Sequence, residues 1–74
     1  MSLNELKVGQ SAKIIDYSTN DELKERLFSF GIRAGKMVKK INSSLGGKTI
    51  AIELDHSCVI LRNSEASVIN VEII

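Results

Sequence analysis

The ten residues Arg26-Leu27-Phe28-Ser29-Phe30-Gly31-Ile32-Arg33-Ala34-Gly35 decide how this chain turns its main corner. They join an amphipathic helix end to a glycine, an apolar residue and a second glycine. A glycine just past a helix adopts the left-handed conformation that closes it, and the apolar residue behind packs back onto the last turn. Upstream, Thr19-Asn20-Asp21-Glu22 fits a capping box, with the Thr19 hydroxyl taking an orphan N–H and Glu22 reaching back. Leu23, Leu27 and Phe30 follow at i, i+4 and i+7 and form one helical stripe, with Lys24 and Glu25 on the other side. The spacing predicts a three-turn helix ending at Gly31.

Around that helix the pattern is β. Leu3, Leu6 and Val8 lead to Gly9 as a short tether and a turn. Ser11 to Tyr17 reads as a strand, with Ala12 and Ile14 on one face and Ile15 and Tyr17 on the other. Met37 to Asn42 is a second strand, and Ser43 to Lys48 is a glycine-rich hairpin loop that includes Leu45. Thr49 to Leu54 alternates cleanly and points Ile50, Ile52 and Leu54 inward. Asp55-His56-Ser57 is a tight turn into Cys58-Val59-Ile60-Leu61. Arg62 to Ala66 reads as one helical turn, and Ile69, Val71 and Ile73 as a last alternating strand. Five short strands and one inserted helix, closely spaced, predict a mainly β chain that closes into a small barrel to hide its edges.

Seventy-four residues make one domain, 1–74, and 43% of them are hydrophobic. A core of this size leaves a stability margin of roughly 3–5 kcal/mol, so a partner or weak self-association matters energetically. A single cysteine cannot form an internal disulfide. Ten basic and nine acidic residues are well mixed and give a net charge of +1. The basic stripe that phosphate-gripping domains carry is missing, which argues against a nucleic-acid partner. Met1-Ser2-Leu3-Asn4-Glu5 lacks the features of a signal peptide, and no apolar run approaches the ~20 residues of a membrane-spanning helix. The expectation is a soluble cytoplasmic chain without direct membrane insertion.

Two spaced patterns carry a family resemblance. Arg26-Leu27-x-x-Phe30-Gly31-x-x-x-Gly35 and Leu61-Arg62-x-x-Glu65-Ala66-x-x-Ile69-x-Val71 occur in order, behind an opening Leu3-x-x-Leu6-x-x-Gly9 and ahead of or around the Gly46-Gly47 hairpin. The chain thereby resembles the ferrous iron transport protein A family (FeoA) over essentially its whole length. Ala34, Lys48-Thr49 and His56 depart from residues frequent in that family. The resemblance implies an SH3-like β-barrel with a helix inserted after the first strand. It also implies a non-enzymatic regulatory protein that assists FeoB, a large Fe²⁺ transporter with a cytosolic G-protein region. A similar SH3-like domain ends metal-dependent repressors of the diphtheria-toxin-repressor type, so the alternative is a transition-metal sensor domain.

Chemistry-bearing residues are sparse. Asp55, His56 and Cys58 offer O, N and S donors within four positions. His56 falls where His and Asp tolerate positive φ, and Cys58 opens an apolar strand where free cysteine is usually buried. Three or four converging ligands are normally needed, so the expectation is no dedicated metal site and no cofactor beyond weak Fe²⁺ or other transition-metal binding. His56 and Cys58 lack an orienting group and an oxyanion loop, so no catalytic residue is assigned. With Tyr17, Phe28 and Phe30 as the only aromatics, a polyproline groove cannot be built. Phe28, at about 100° per residue, falls well off the Leu23–Leu27–Phe30 stripe. A single exposed aromatic is ordinary by itself; given the transporter partner that the resemblance implies, Leu27 and Phe28, edged by Arg26 and Arg33, are the expected partner-binding surface.

Overall fold

The computed structural model describes residues 1–44 and 46–74. A 3-10 helix, Leu3–Glu5, precedes β1 (Ser11–Tyr17), α1 (Asp21–Ser29), β2 (Met37–Ser43), β3 (Thr49–Leu54), β4 (Ser57–Arg62), the one-turn α2 (Asn63–Ala66) and β5 (Ile69–Ile73). All strand pairs are antiparallel, in the order β4-β3-β2-β1-β5. The sheet curls into an SH3-like barrel around one aliphatic core, and its edge strands β4 and β5 do not pair with each other. The glycine-rich loop expected between β2 and β3 holds Ser44 N–H on Thr49 O at 2.9 Å; the part of that expectation concerning Leu45 lies outside the described residues.

The period-two pattern places the core as expected on β3, where Ile50, Ile52 and Leu54 are buried. On β4 the same alternation turns Val59 and Leu61 inward and leaves Cys58 and Ile60 exposed. The expectation of a buried cysteine is thus corrected: pairing register outweighs the residue's usual preference. β1 departs too. Its pairing with β5 slips between Ile14 and Asp16, and one extra residue at such a bulge reverses the alternation beyond it. Ile15 stays outside, while Tyr17, opposite buried Ile69, packs on the core and donates its hydroxyl to Ile32 O at 2.9 Å. Ile15 and Tyr17 therefore do not share a face.

At α1 the cap is Asn20 rather than Thr19: its Oδ1 accepts the Leu23 N–H at 2.8 Å. Both residue types cap well, and here Asn20 holds the extended backbone a cap requires. Leu27 is fully buried, with Leu23 and Phe30 half-buried against the same core, as the stripe predicts. The stop is complete. Gly31, at φ +89°, donates to Phe28 O at 3.0 Å, and Ile32 donates to Leu27 O at 3.1 Å, the paired bonds of a Schellman closure. A Cβ at Gly31 would meet Leu54 Cδ2 at an ordinary 3.6 Å. Glycine is needed for its backbone, since a left-handed L-residue costs about 1–2 kcal/mol.

The amino-terminal tether is a packed element. Leu3 and Leu6 are buried, and Val71 N–H donates to Met1 O at 2.8 Å. Ser2 donates its hydroxyl and its N–H to Glu5, which lowers the Glu5 carboxyl below its ordinary value. Lys40, only 8% exposed, donates its ammonium to Leu6 O at 2.8 Å. The basic pair Lys39-Lys40 is split between the sheet's two sides.

Candidate functional site

α1 lies on the barrel by its buried stripe, so its two flanks are what the surface receives. Phe28 follows Leu27 by one position and therefore swings away from the core; it is 54% exposed. The Gly31 closure sends the chain back past the helix end, and Arg33 lands with its guanidinium carbon 4.3 Å from the Phe28 ring centroid. A cation at that distance is attracted by the ring's negative face, by about 0.5–1 kcal/mol at an exposed site. Below them opens a mostly apolar groove of about 620 Å³, lined by Tyr17, Phe28, Arg33 and Ala34 with Asp16, Lys24, Glu25 and Ser29 around it. Tyr17 reaches this groove because of the β1 bulge. The site thus combines two aromatic walls with charges of both signs at its rim.

The opposite flank is more polar, a recess of about 440 Å³ lined by Asn20, Glu22, Leu23, Arg26, Arg62 and Glu65, and an ion pair crosses it. Arg26 Nε sits 3.0 Å from Glu65 Oε2, and the Glu65 side chain is only 8% exposed. The other carboxylate oxygen accepts the Arg62 N–H at 2.9 Å, capping α2. Arg26 also lies over Phe30, 5.4 Å from its centroid. This arrangement ties α1 to α2 and so fixes the helix on the barrel.

The four residues expected to form one surface are therefore divided. Phe28 and Arg33 come together at the groove. Leu27 is wholly buried, and its expected place at the surface is corrected: the i, i+4 stripe that packs the helix claims it. Arg26 faces Glu65 on the far flank. Sequence reasoning missed Tyr17 and Lys24 as groove residues and Glu65 as the buried anchor. Arg62-Asn63-Ser64-Glu65 has the spacing of a capping box, yet Arg62 in the capping position hides the signal.

The potential metal donors do not assemble. Asp55 and His56, at φ 51° and 69°, form a two-residue turn, and Asp55 Oδ2 is held by Lys36 Nζ at 2.8 Å. Cys58 stands opposite Glu53 on β4. Among the described residues no three His, Cys, Asp or Glu side chains gather where they could hold an ion. No described helix is long and apolar enough to cross a membrane.

Fold and site together define an SH3-like barrel that carries an apolar groove beside an inserted helix. The FeoA domain model matches residues 1–73. The chain belongs to the FeoA family, accessory proteins of Fe(2+) transport. It is 55% identical over 74 residues to the provisionally named Fe(2+) transport protein A of Campylobacter jejuni, with all of both chains covered. Among solved structures, iron(II) transport protein A from Clostridium thermocellum superposes with a TM-score of 0.96 at 28% identity, covering 100% of this chain and 46% of that one. Stenotrophomonas maltophilia FeoA, solved in complex with zinc and described as an SH3 domain protein, gives 0.81 at 29% identity, covering 97% and 89%. A manganese-dependent transcriptional repressor gives 0.92 at 17% identity over 100% of this chain and 36% of that one, a likeness of fold alone.

Proposed function

We propose that this chain is a cytoplasmic, non-enzymatic regulator of ferrous iron uptake that binds the cytosolic G-protein region of the FeoB transporter through the groove beside Phe28. The observation that carries this reading is the half-exposed Phe28 ring, held under Arg33 at the mouth of a two-aromatic groove, in a chain of the FeoA family. Phenylalanine, tyrosine and arginine are enriched at the cores of protein interfaces. Bound there, the chain can bias the partner's nucleotide cycle or its coupling to the pore. Phe28→Asp tests this against the purified cytosolic region of the transporter by titration calorimetry. Because the ring is exposed, the variant keeps the fold to within about 0.5 kcal/mol. Affinity falls by more than about tenfold. A folded variant that binds as tightly as the parent overturns the reading.

The zinc complex of the Stenotrophomonas maltophilia relative favours one second reading, a metal-sensing domain. Here the donors would be Asp55, His56 and Cys58, but they do not form a three-donor site and Asp55 is already paired with Lys36. Anaerobic titration with Fe²⁺ is expected to give weak, exchangeable binding. Stoichiometric binding at micromolar or lower concentration, lost in His56→Ala, establishes the sensor instead.

A further inference from the structure

The two edges of the sheet are finished differently. At β5 the amino terminus covers the edge: Ser2 bridges Asn70, and Val71 N–H donates to Met1 O at 2.8 Å. β4 is the other edge of the sheet, and no described strand pairs with its outer side. The backbone direction there follows from the hairpin. Leu54 pairs with Ser57 across the two-residue Asp55-His56 turn, whose residues both have positive φ, and such a turn is closed by a hydrogen-bonded pair. Antiparallel pairs alternate between bonded and non-bonded, so Ser57, Val59 and Leu61 bond to β3, while Cys58, Ile60 and Arg62 aim N–H and C=O outward. Two recorded bonds agree with that phase. Asn63 N–H continues the inward series onto Lys48 O at 2.8 Å, and Arg62 N–H donates to Glu65 Oε1, as an outward group can.

With Arg62 N–H occupied, the open edge presents two donors and two acceptors, the N–H and C=O of Cys58 and Ile60. No described backbone group outside the sheet bonds to them. The flanking Ile60 side chain is 56% exposed, beside outward Ala51 of β3. An unprotected edge of this kind is a template for another strand.

We propose that β4 pairs with β4 of a second copy of this chain, antiparallel, about a two-fold axis normal to the sheet at Val59. In this register Cys58 lies opposite the partner's Ile60, and Ile60 opposite the partner's Cys58. Both residues then exchange N–H···O=C bonds, and the four free groups on each strand are all used. The neighbouring register, centred on Ile60, pairs Cys58 with Arg62 and calls on the Arg62 N–H that Glu65 already holds. The register centred on Cys58 sets Ile60 against the turn residue His56, at φ 69°. Only the Val59 register uses all four groups with strand residues, and this self-complementarity selects a second copy as the occupant. The outward apolar row of Ala51 and Ile60 continues onto the partner's Cys58. Four hydrogen bonds and this short row make an interface below the ~1,200 Å² of stable complexes, so the dimer forms with rising concentration.

Sedimentation velocity of the intact chain under reducing conditions, from micromolar to millimolar, tests the pairing. The parent is expected to shift from monomer to dimer, and the Cys58 and Ile60 amides to exchange more slowly as the dimer fills. Ile60→Lys, on an exposed side chain, raises the midpoint at least about tenfold by placing charge on the edge. Ile60→Pro removes an outward donor without breaking the β3 ladder and gives the same result. Ile15→Lys, equally a surface charge but on β1, leaves the midpoint unchanged. A parent that stays monomeric with both amides unprotected overturns the proposal. So does a dimer that Ile60→Lys leaves intact, and since the exchange measurement needs no variant, misfolding of Ile60→Pro does not blunt the test.

Discussion

Leu27→Ala is expected to cost about 2–5 kcal/mol, the range for truncating a fully buried leucine. Leu27 is completely enclosed, and its backbone carbonyl also accepts the Ile32 N–H that closes the helix. A collapse that filled the hole would have to move α1, which the Arg26–Glu65 pair and the Gly31 closure hold in place. The cavity therefore stays largely open. A domain of this size has a margin of roughly 3–5 kcal/mol, so the variant sits near the edge of folding. Its melting midpoint drops by roughly 10 °C or more at 4–8 °C per kcal/mol. Phe28→Ala, one residue away, changes the midpoint little because the ring is exposed. Thermal and urea unfolding of the two variants side by side separate core from surface. Equal midpoints would contradict the assignment of Leu27 to the core.

Lys40→Met tests a group that is buried for a structural reason. The Lys40 ammonium donates to Leu6 O and lies 3.4 Å from Asn4 O. Methionine keeps most of the stem's packing and removes the donor, leaving a buried carbonyl without a partner. Such an unmet group costs about 1–3 kcal/mol. The loss is expected to concentrate in residues 1–8, the segment those carbonyls belong to, with faster amide exchange and earlier proteolysis there than in β3. If β2 and β3 loosen as much as the amino terminus, the lysine supports the sheet and not the tether.

Much of the architecture is legible from short-range chemistry. The Leu23, Leu27 and Phe30 stripe, the glycine stop and the clean alternation of Thr49 to Leu54 each depend on neighbours within one turn or one strand, and each appears as read. What eludes the sequence depends on partners far along the chain. The bulge in β1 exists because β5, over fifty positions later, pairs out of step with it, and it is this bulge that carries Tyr17 inward to the groove. Glu65 is buried because α1 brings Arg26 to it. Cys58 is exposed because the register set by the Asp55-His56 turn puts it outside. The site was half legible for the same reason. Phe28 stands out by its angle on the helix, whereas the return of Arg33 over its ring depends on the three-dimensional path after Gly31. Leu27 satisfied both a core and a surface reading, and only packing decides between them.

The two flanks of α1 consequently have separate duties. One, through Arg26 and Glu65, fixes the helix on the barrel; the other presents Phe28, Arg33 and Tyr17 to an apolar groove. Substitutions on the first flank lower stability, and so do those of core-packed Tyr17 on the second, whereas substitutions of the exposed Phe28 and Arg33 leave it nearly unchanged. This separation allows binding to be measured in folded variants.

The most direct measurement is an amide chemical-shift titration of the labelled chain with the cytosolic G-protein region of the FeoB transporter. The perturbed amides are expected to cluster at Tyr17, Lys24, Phe28, Arg33 and Ala34, with β4 shifting little beyond its own concentration dependence. Perturbations confined to β2, β3 and β4, or none at saturating partner, would contradict binding at the groove.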